Sequence, residues 1–275
     1  MAPGTFVAMK SRMFPALLKY HRGRRGLSQL ELALEADVSA RHVSFLESGR
    51  AQPSPEMVLR LLSALGVPLR AQNEALTAAG LEPRFPEPVA SGLPPEVDAV
   101  LSQMMQQHEP FPLTVLGLDA SVLRANRSAN ALFRAFAAQP AALSPQPDLF
   151  TFFFDPRLWR PFVTGWEHVA RAMVSRLHLD VLLKGDTRLT ELLDRLLGFP
   201  GVPSSWRQPD FSAAVGPTAT FRLERGDLKV GFLVTVTTFS GPRDVTVDEL
   251  RIESCFPLDP ATRAACERLA AAGCS

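Results

Sequence analysis

Two helix-start signals sit so close together that only a short helix and a tight turn fit between them. Ser28-Gln29-Leu30-Glu31 has the form of a capping box. The Ser28 hydroxyl can accept from the Glu31 amide while the Glu31 carboxylate accepts from the Ser28 amide. The helix this opens runs from Gln29 to about Glu35, Ala36-Asp37-Val38 forms a turn, and Ser39 caps a second helix reaching about Glu47, with Gly49 as its stop. Ser54 caps a further helix that has Pro55 at its first position and Val58, Leu61, Leu62 and Leu65 on one face. Gly66-Val67-Pro68 ends it, and a fifth helix spans about 69–79. Pro15 suits the first turn of an earlier helix reaching about Arg25. Leu32, Ala33, Ala36, Val38, Val43 and Leu46 are apolar or small where the two short helices must pack. That leaves Gln29, Ser39, Ala40, Arg41 and Ser44 toward the other side.

Residues 81–95 hold five prolines, which disfavour helix and ladder pairing, so they read as a linker. The chain is therefore multidomain: an all-α five-helix domain over 1–80, the linker 81–95, and a larger domain over 96–275. Charge divides at about the same place. Residues 1–80 hold 10 Lys/Arg against 6 Asp/Glu, while 81–275 hold 19 against 22. A basic excess suits a phosphate-binding module, although a solvated basic helix face has the same composition. Two short helices joined by a three-residue turn fit a helix-turn-helix, whose second helix would enter the major groove while the first meets the backbone.

The segment LSQLELALEADVSARHVSFLESGRAQPS resembles the Xre-type, phage-repressor-like DNA-binding domain over about residues 11–80. Asp37 stands where that family usually has glycine, a mild departure because Asp tolerates left-handed backbone. The resemblance implies double-stranded operator DNA as partner, read by a likeness-assigned set of Gln29, Ser39, Ala40, Arg41, His42, Ser44 and Arg50. Gln29 also reads as a surface residue at a helix start, and His42 as a solvated polar residue. Arg41 suits guanine O6/N7 or a phosphate. Arg50 suits phosphate or a pair with Glu47, and Arg22, Arg24 and Arg25 read as a phosphate-tracking cluster or as solvated side chains.

Downstream, LTVLGLDASVLRAN reads as a hairpin around 118–121, followed by a helix capped by Asn126 and reaching about Phe136. TATFRLERGDLKVGFLVTVTTF reads as two strands joined at Arg225-Gly226-Asp227, and 250–256 as a fifth strand before a last helix from Asp259-Pro260. Helices are expected at about 161–178 and 187–197, with Lys184-Gly185-Asp186 as the loop between them. This pattern implies an α+β domain with one antiparallel sheet of about five strands. HEPFPLTVLGLDASVLRANRSANALF, the segment around Trp166, and GPRDVTVDELRIESCFPLD resemble the PAS-like ligand-binding domain of MmyB-type regulators. In the last motif Ser240-Gly241-Pro242 replaces the common Gly-Thr-Pro, with Asp244, Glu249, Arg251 and Glu253 retained. The resemblance implies transcriptional regulation by an apolar, fatty-acid-like small-molecule effector. Phe152, Phe154, Trp159, Phe162 and Trp166 are the candidate lining, although large aromatics equally fill ordinary cores. Arg157, Arg160 and Arg171 are candidates to receive a carboxylate. A C-terminal domain that serves protein interaction or dimerisation without ligand is the alternative.

Catalytic signatures are missing: there is no G-x-S-x-G, H-E-x-x-H or Walker-type loop, so no enzyme is expected. His168 and His178 are about three helical turns apart, too far for one metal, so no metal or cofactor is expected. The three cysteines cannot form a disulfide framework, which fits a reducing, cytoplasmic setting. No run reaches the roughly 18 apolar residues of a membrane span, and Lys10 and Arg12 interrupt any export signal. A homodimer is expected, its two heads reading half-sites roughly 10 bp apart.

Overall fold

The computed structural model describes residues 13–87, 93–144, 147–210, 219–241 and 244–272. The expected N-terminal segment, linker residues 88–92, Pro242 and Cys274 lie outside these residues. The chain divides into two compact units, one containing residues 13–87 together with 244–248, the other 93–240 together with 249–272.

The first unit holds α1 (Met13–Arg24), α2 (Gln29–Glu35), α3 (Ala40–Glu47), α4 (Pro55–Ala64) and α5 (Leu69–Ala78). The local signals act as expected. Ser28 and Glu31 complete both bonds of the capping box, Ser39 accepts from the His42 amide, and Ser54 accepts from the Met57 amide with Pro55 in the first turn. Leu32, Val43, Leu46, Val58, Leu61 and Leu62 are fully buried, joined by Phe14 and Leu18 from α1. Ala33 is nearly as buried, which lets α2 and α3 cross closely.

The second unit contains α6 (Pro95–Gln107), β1 (Leu113–Leu116), β2 (Val122–Ala125), α7 (Arg127–Ala135), α8 (Leu149–Phe154), α9 (Trp166–Lys184), α10 (Thr187–Leu197), β3 (Ala219–Arg225) and β4 (Leu228–Thr237). After β4 come α11 (Val245–Glu249), whose first four residues belong to the first unit, then β5 (Arg251–Pro257) and α12 (Pro260–Ala272). The five strands form one sheet in the order β2-β1-β5-β4-β3, every pair antiparallel. Leu113, Val115 and Ile252 point to one face, where Leu101 of α6 packs on them. Phe221, Leu223, Val230 and Phe232 point to the other, where they meet side chains of α7 to α10 and α12. With both faces covered, β1 is buried at all four positions and loses the alternation of a half-exposed strand.

Three elements depart from expectation. The long helix begins at Trp166 instead of about 161, because Pro161 lies in a 3-10 turn and Gly165 takes a left-handed φ of 63° just before the helix. The aromatic run before it is itself a helix, α8, capped by Asp148. Helix α6 begins inside the expected linker, with Pro95 at its first position. Asn126 does more than cap α7. Besides accepting from Ala129, its side chain accepts from the Leu113 amide at 3.0 Å and donates to the Phe111 carbonyl at 2.8 Å. It is 4% exposed, so no water stands ready to replace these partners. Asn126→Ala should lower the stability of this unit by about 3 kcal/mol, the loss of several buried bonds at once. All three tryptophans lie in this unit, so a urea titration followed by their emission reads the loss directly.

Candidate functional site

In the helical unit, α2 and α3 are set by their caps and by the turn between them. Val38 donates to the Ala33 carbonyl at 2.9 Å, and Asp37 takes a φ of 51°. The left-handed step there reverses the chain within three residues and brings Ser39 to the start of α3. Ser39, Arg41 and Arg50 are exposed, while Gln29, Ala40, His42 and Ser44 are half-buried. Ala40 packs partly against the core, and the Ser39 hydroxyl is engaged with the His42 amide at 3.1 Å. The Arg41 guanidinium lies over the Phe45 ring at 5.2 Å, so the residue is braced on its own helix while remaining open to solvent.

Of the arginines near the end of α1, Arg22 departs from both sequence readings, phosphate-tracking cluster and solvated side chain, because it is engaged within the unit. Arg22 donates through Nε and Nη2 to the two carboxylate oxygens of Glu47, at 2.6 and 2.9 Å, and through Nη1 to the Leu27 carbonyl at 2.6 Å. Gln29 Nε2 donates to Glu47 Oε2 at 2.7 Å. The Glu47 side chain is buried at 4% exposure, and Arg22 is part-buried at 14%. Arg22 is therefore a structural residue, and it occupies the carboxylate that was the alternative to phosphate as the partner of Arg50. Arg24 stacks over Tyr20 and donates to its hydroxyl, and Arg25 lies 3.6 Å from Glu35. Burial alone would raise the Glu47 pKa, but the bonds from Arg22 and Gln29 and the charges of Arg22 and Lys19 outweigh it and hold the carboxyl below its ordinary 4.5.

In the sheet unit, Phe152 and Phe154 are fully buried and Trp159 is 2% exposed, whereas Phe162 and Trp166 are half-buried. Phe152 stacks on Phe133 at 4.5 Å, and Trp159 lies within 6.0 Å of Phe133, Phe152, Phe153 and Phe221. Phe154 and Trp206 flank Trp166, and Phe162 meets Phe136 edge-on at 6.1 Å. The Trp159 indole N–H is buried without an acceptor among the described residues. The arginines expected to receive a carboxylate are already engaged. Arg157 binds Asp155 at 2.7 Å, Arg171 binds Asp210 at 2.6 Å, and Arg160 stacks on Trp166 while donating to the Phe154 and Pro200 carbonyls. A shallow depression bordered by Pro156, Arg160, Pro161, Trp166, Pro200 and Gly201 opens beside them.

Sequence reasoning left Glu253 unassigned. In β5 it stands opposite Thr114 of β1 and Val236 of β4, on the sheet face that carries Phe232. Loss of solvation pushes its carboxyl up to about 7. Alternation along β5 marks its face, but no local signal tells how far protein atoms displace water there. Among the described residues no group of three metal-ligating side chains comes together, and no helix is long and apolar enough to cross a membrane.

Comparison with known proteins gives two family matches. Residues 97–269 match the family described as "MmyB-like transcription regulator ligand binding domain", and residues 18–72 match the one described as "Helix-turn-helix". No curated protein matches the chain.

Two predictions follow from this geometry. Asp37→Val should cost the helical unit about 1–2 kcal/mol, because a β-branched residue resists the left-handed region, whereas Asp37→Gly should be neutral or slightly stabilising. Chemical denaturation followed by far-ultraviolet circular dichroism distinguishes the two. The carboxylates give opposite pH responses. Glu47 has a depressed folded pKa, so its contribution is present above its ordinary 4.5 and disappears as pH falls through the lower folded value. Glu253 has a raised folded pKa, so its contribution is largest below 4.5 and declines as pH rises from 4.5 to about 7. Hydrogen exchange across this range should show the helical unit loosening in acid and the sheet unit loosening toward neutrality. Glu47→Gln should lower the helical unit's stability by about 3 kcal/mol and flatten its acid response, and Glu253→Gln should flatten the response of the sheet unit.

Proposed function

Because the chain belongs to the MmyB-like transcription regulators, we propose that its DNA-binding helix-turn-helix reads specific operators through α3 and that its ligand-binding domain holds an apolar, fatty-acid-like effector that modulates this reading. The families matched are regulatory and not enzymatic. The observation that carries the reading is the helix-turn-helix itself: α3 presents Ser39 and Arg41 in its first turn and is fixed at its far end by the Arg22–Glu47 pair. Major-groove readers place the N-terminal residues of the second helix against base edges. In this reading Arg41 contacts a guanine or a phosphate, with Ser39, Ala40, His42 and Ser44 along the groove. Gln29 and Arg50 contact the backbone. Gln29 would meet its phosphate already oriented by Glu47.

For the effector, the support is the concentration of aromatic surface around Phe152, Phe154, Trp159, Phe162 and Trp166. The indole of Trp159 adds a polar handle, since a buried N–H without an acceptor is costly and a ligand oxygen would satisfy it. The sheet order β2-β1-β5-β4-β3 fits a PAS-like domain. A second reading has its own observation. Leu179, Leu182 and Leu183 are exposed at 38%, 57% and 62%, a short apolar stripe on α9 that suits a ligand-free dimerisation or interaction module. A homodimer belongs to either reading.

Native mass spectrometry of the protein purified from cells separates the two. A co-purifying mass of a few hundred daltons supports the effector, and an empty dimer supports the second reading. For the DNA contact, Arg41→Ala should weaken specific binding by about 1–3 kcal/mol if the guanidinium is bidentate on guanine, or reduce the salt slope by about one if it holds phosphate. Titration of operator DNA at several salt concentrations reads both quantities, and a variant unchanged in both would remove Arg41 from the interface.

A further inference from the structure

The helical unit is not built from one stretch of chain. Residues 244–248 belong to it, although they follow β4 and precede β5 in sequence. What they do there is specific. Helix α5 starts at Pro68, which offers no side-chain cap, and its first turn has no acidic residue. The carboxylate of Asp248 accepts from the Leu69 amide at 3.4 Å, one of the four amides that the start of α5 leaves without an intrahelical partner. The Val245 amide donates to the Pro86 carbonyl at 3.0 Å. Val245 is fully buried and Val247 nearly so, and Asp244 caps the segment's own turn by accepting from the Val247 amide.

The stretch that receives Val245 is itself tied to α5. Asn73 accepts from the amides of Arg84 and Phe85 and donates to the Phe85 carbonyl and to Glu87, which also pairs with Arg70 at 2.7 Å. The residue after Asp248 is committed elsewhere. Glu249 receives Arg188 through two bonds, at 2.8 and 3.1 Å, and Arg188 also grips Asp186, the cap of α10. Hydrogen bonds to Asp186 and Glu249 keep the Arg188 guanidinium charged. Two consecutive carboxylates thus anchor two different units: Asp248 the one that carries the helix-turn-helix, Glu249 the one that carries the sheet.

We propose that residues 244–248 are a strap by which the ligand-binding domain sets the stability of α5. Through α5 it also biases the DNA-binding helices. Helix α5 packs on α1 and α4, and α1 supplies the Arg22 that fixes Glu47, the carboxylate to which Gln29 donates. Glu249, the residue next to Asp248, is held by Arg188 of the sheet unit, so a change at that anchor reaches the strap through a single peptide bond. The inference rests on the two-module reading given above for its purpose, but not for its test.

Hydrogen exchange of the full chain, with neither DNA nor effector added, measures the coupling. Asp248→Ala should speed exchange of the α5 amides 72–78 roughly fivefold, the loss expected for a cap. Asp248→Asn, which keeps an acceptor oxygen, should stay within about twofold of the parent. Arg188→Gln, a change in the sheet unit that removes both Arg188 bonds to Glu249, should speed the same α5 amides, and should add little in the Asp248→Ala background. An α5 indifferent to Asp248→Ala or to Arg188→Gln overturns the strap. So does an acceleration spread equally over α2 and β4, which would report global loosening. A chain that binds no effector still gives a clear result in this experiment, so failure of the strap and failure of the proposed function are told apart.

Discussion

The Arg22–Glu47 ion pair is the interaction on which the helical unit's use as a DNA reader depends. It joins the end of α1 to the end of α3, and its carboxylate also takes Gln29 from the start of α2. Three helices therefore converge on one buried carboxylate. A charge in that position is tolerated only when its partners are complete. The guanidinium supplies two parallel bonds and spends its remaining nitrogen on the Leu27 carbonyl. The result is a helix whose cap Ser39 and first-turn Arg41 are exposed while its inner face, Val43 and Leu46, is fully buried.

The sheet unit answers the same packing problem with aromatic surface. Phe133, Phe152, Phe153, Trp159 and Phe221 interlock through stacked and edge-on contacts. Such contacts fix ring orientation more firmly than aliphatic packing does. Among the described residues the cluster contains one unsatisfied group, the Trp159 N–H, and the same sheet face carries the raised carboxyl of Glu253. An unsatisfied N–H inside an aromatic interior is expensive, and a domain that binds small molecules has a use for it that a purely structural core lacks.

Much of this was legible in the sequence because it is local. Caps at Ser28, Ser39, Ser54 and Asn126 depend on residues three positions away, and the stop at Gly49 depends on one backbone angle. The sheet followed from alternation and turn residues. What stayed hidden depends on distance along the chain. Arg22 and Glu47 are 25 residues apart, and nothing near Arg22 in the sequence distinguishes it from Arg24 or Arg25. The basic side chains that looked like a phosphate track were sorted only by tertiary contacts. Helix α8 escaped notice because a run of phenylalanines satisfies strand and helix periodicity alike until Asp148 is recognised as its cap.

The most remote relation is also the most consequential. Asp248 and Leu69 are 179 residues apart, and the retained acidic positions of the motif around them gave no hint that neighbours would serve different units. In sequence, DVTVDELRIE reads as one continuous feature of the ligand-binding domain. In the fold, Asp244 to Asp248 complete the DNA-binding unit and Glu249 onward rejoin the sheet. Two domains joined by a single linker can respond to each other through the dimer or through shared surface. The strap proposed above adds a third route, because Pro68 has no side chain with which to accept at the start of α5 and Asp248 supplies that acceptor. Coupling of this kind needs a differential effect on only one helix start, which is the scale of free energy that allosteric proteins commonly use.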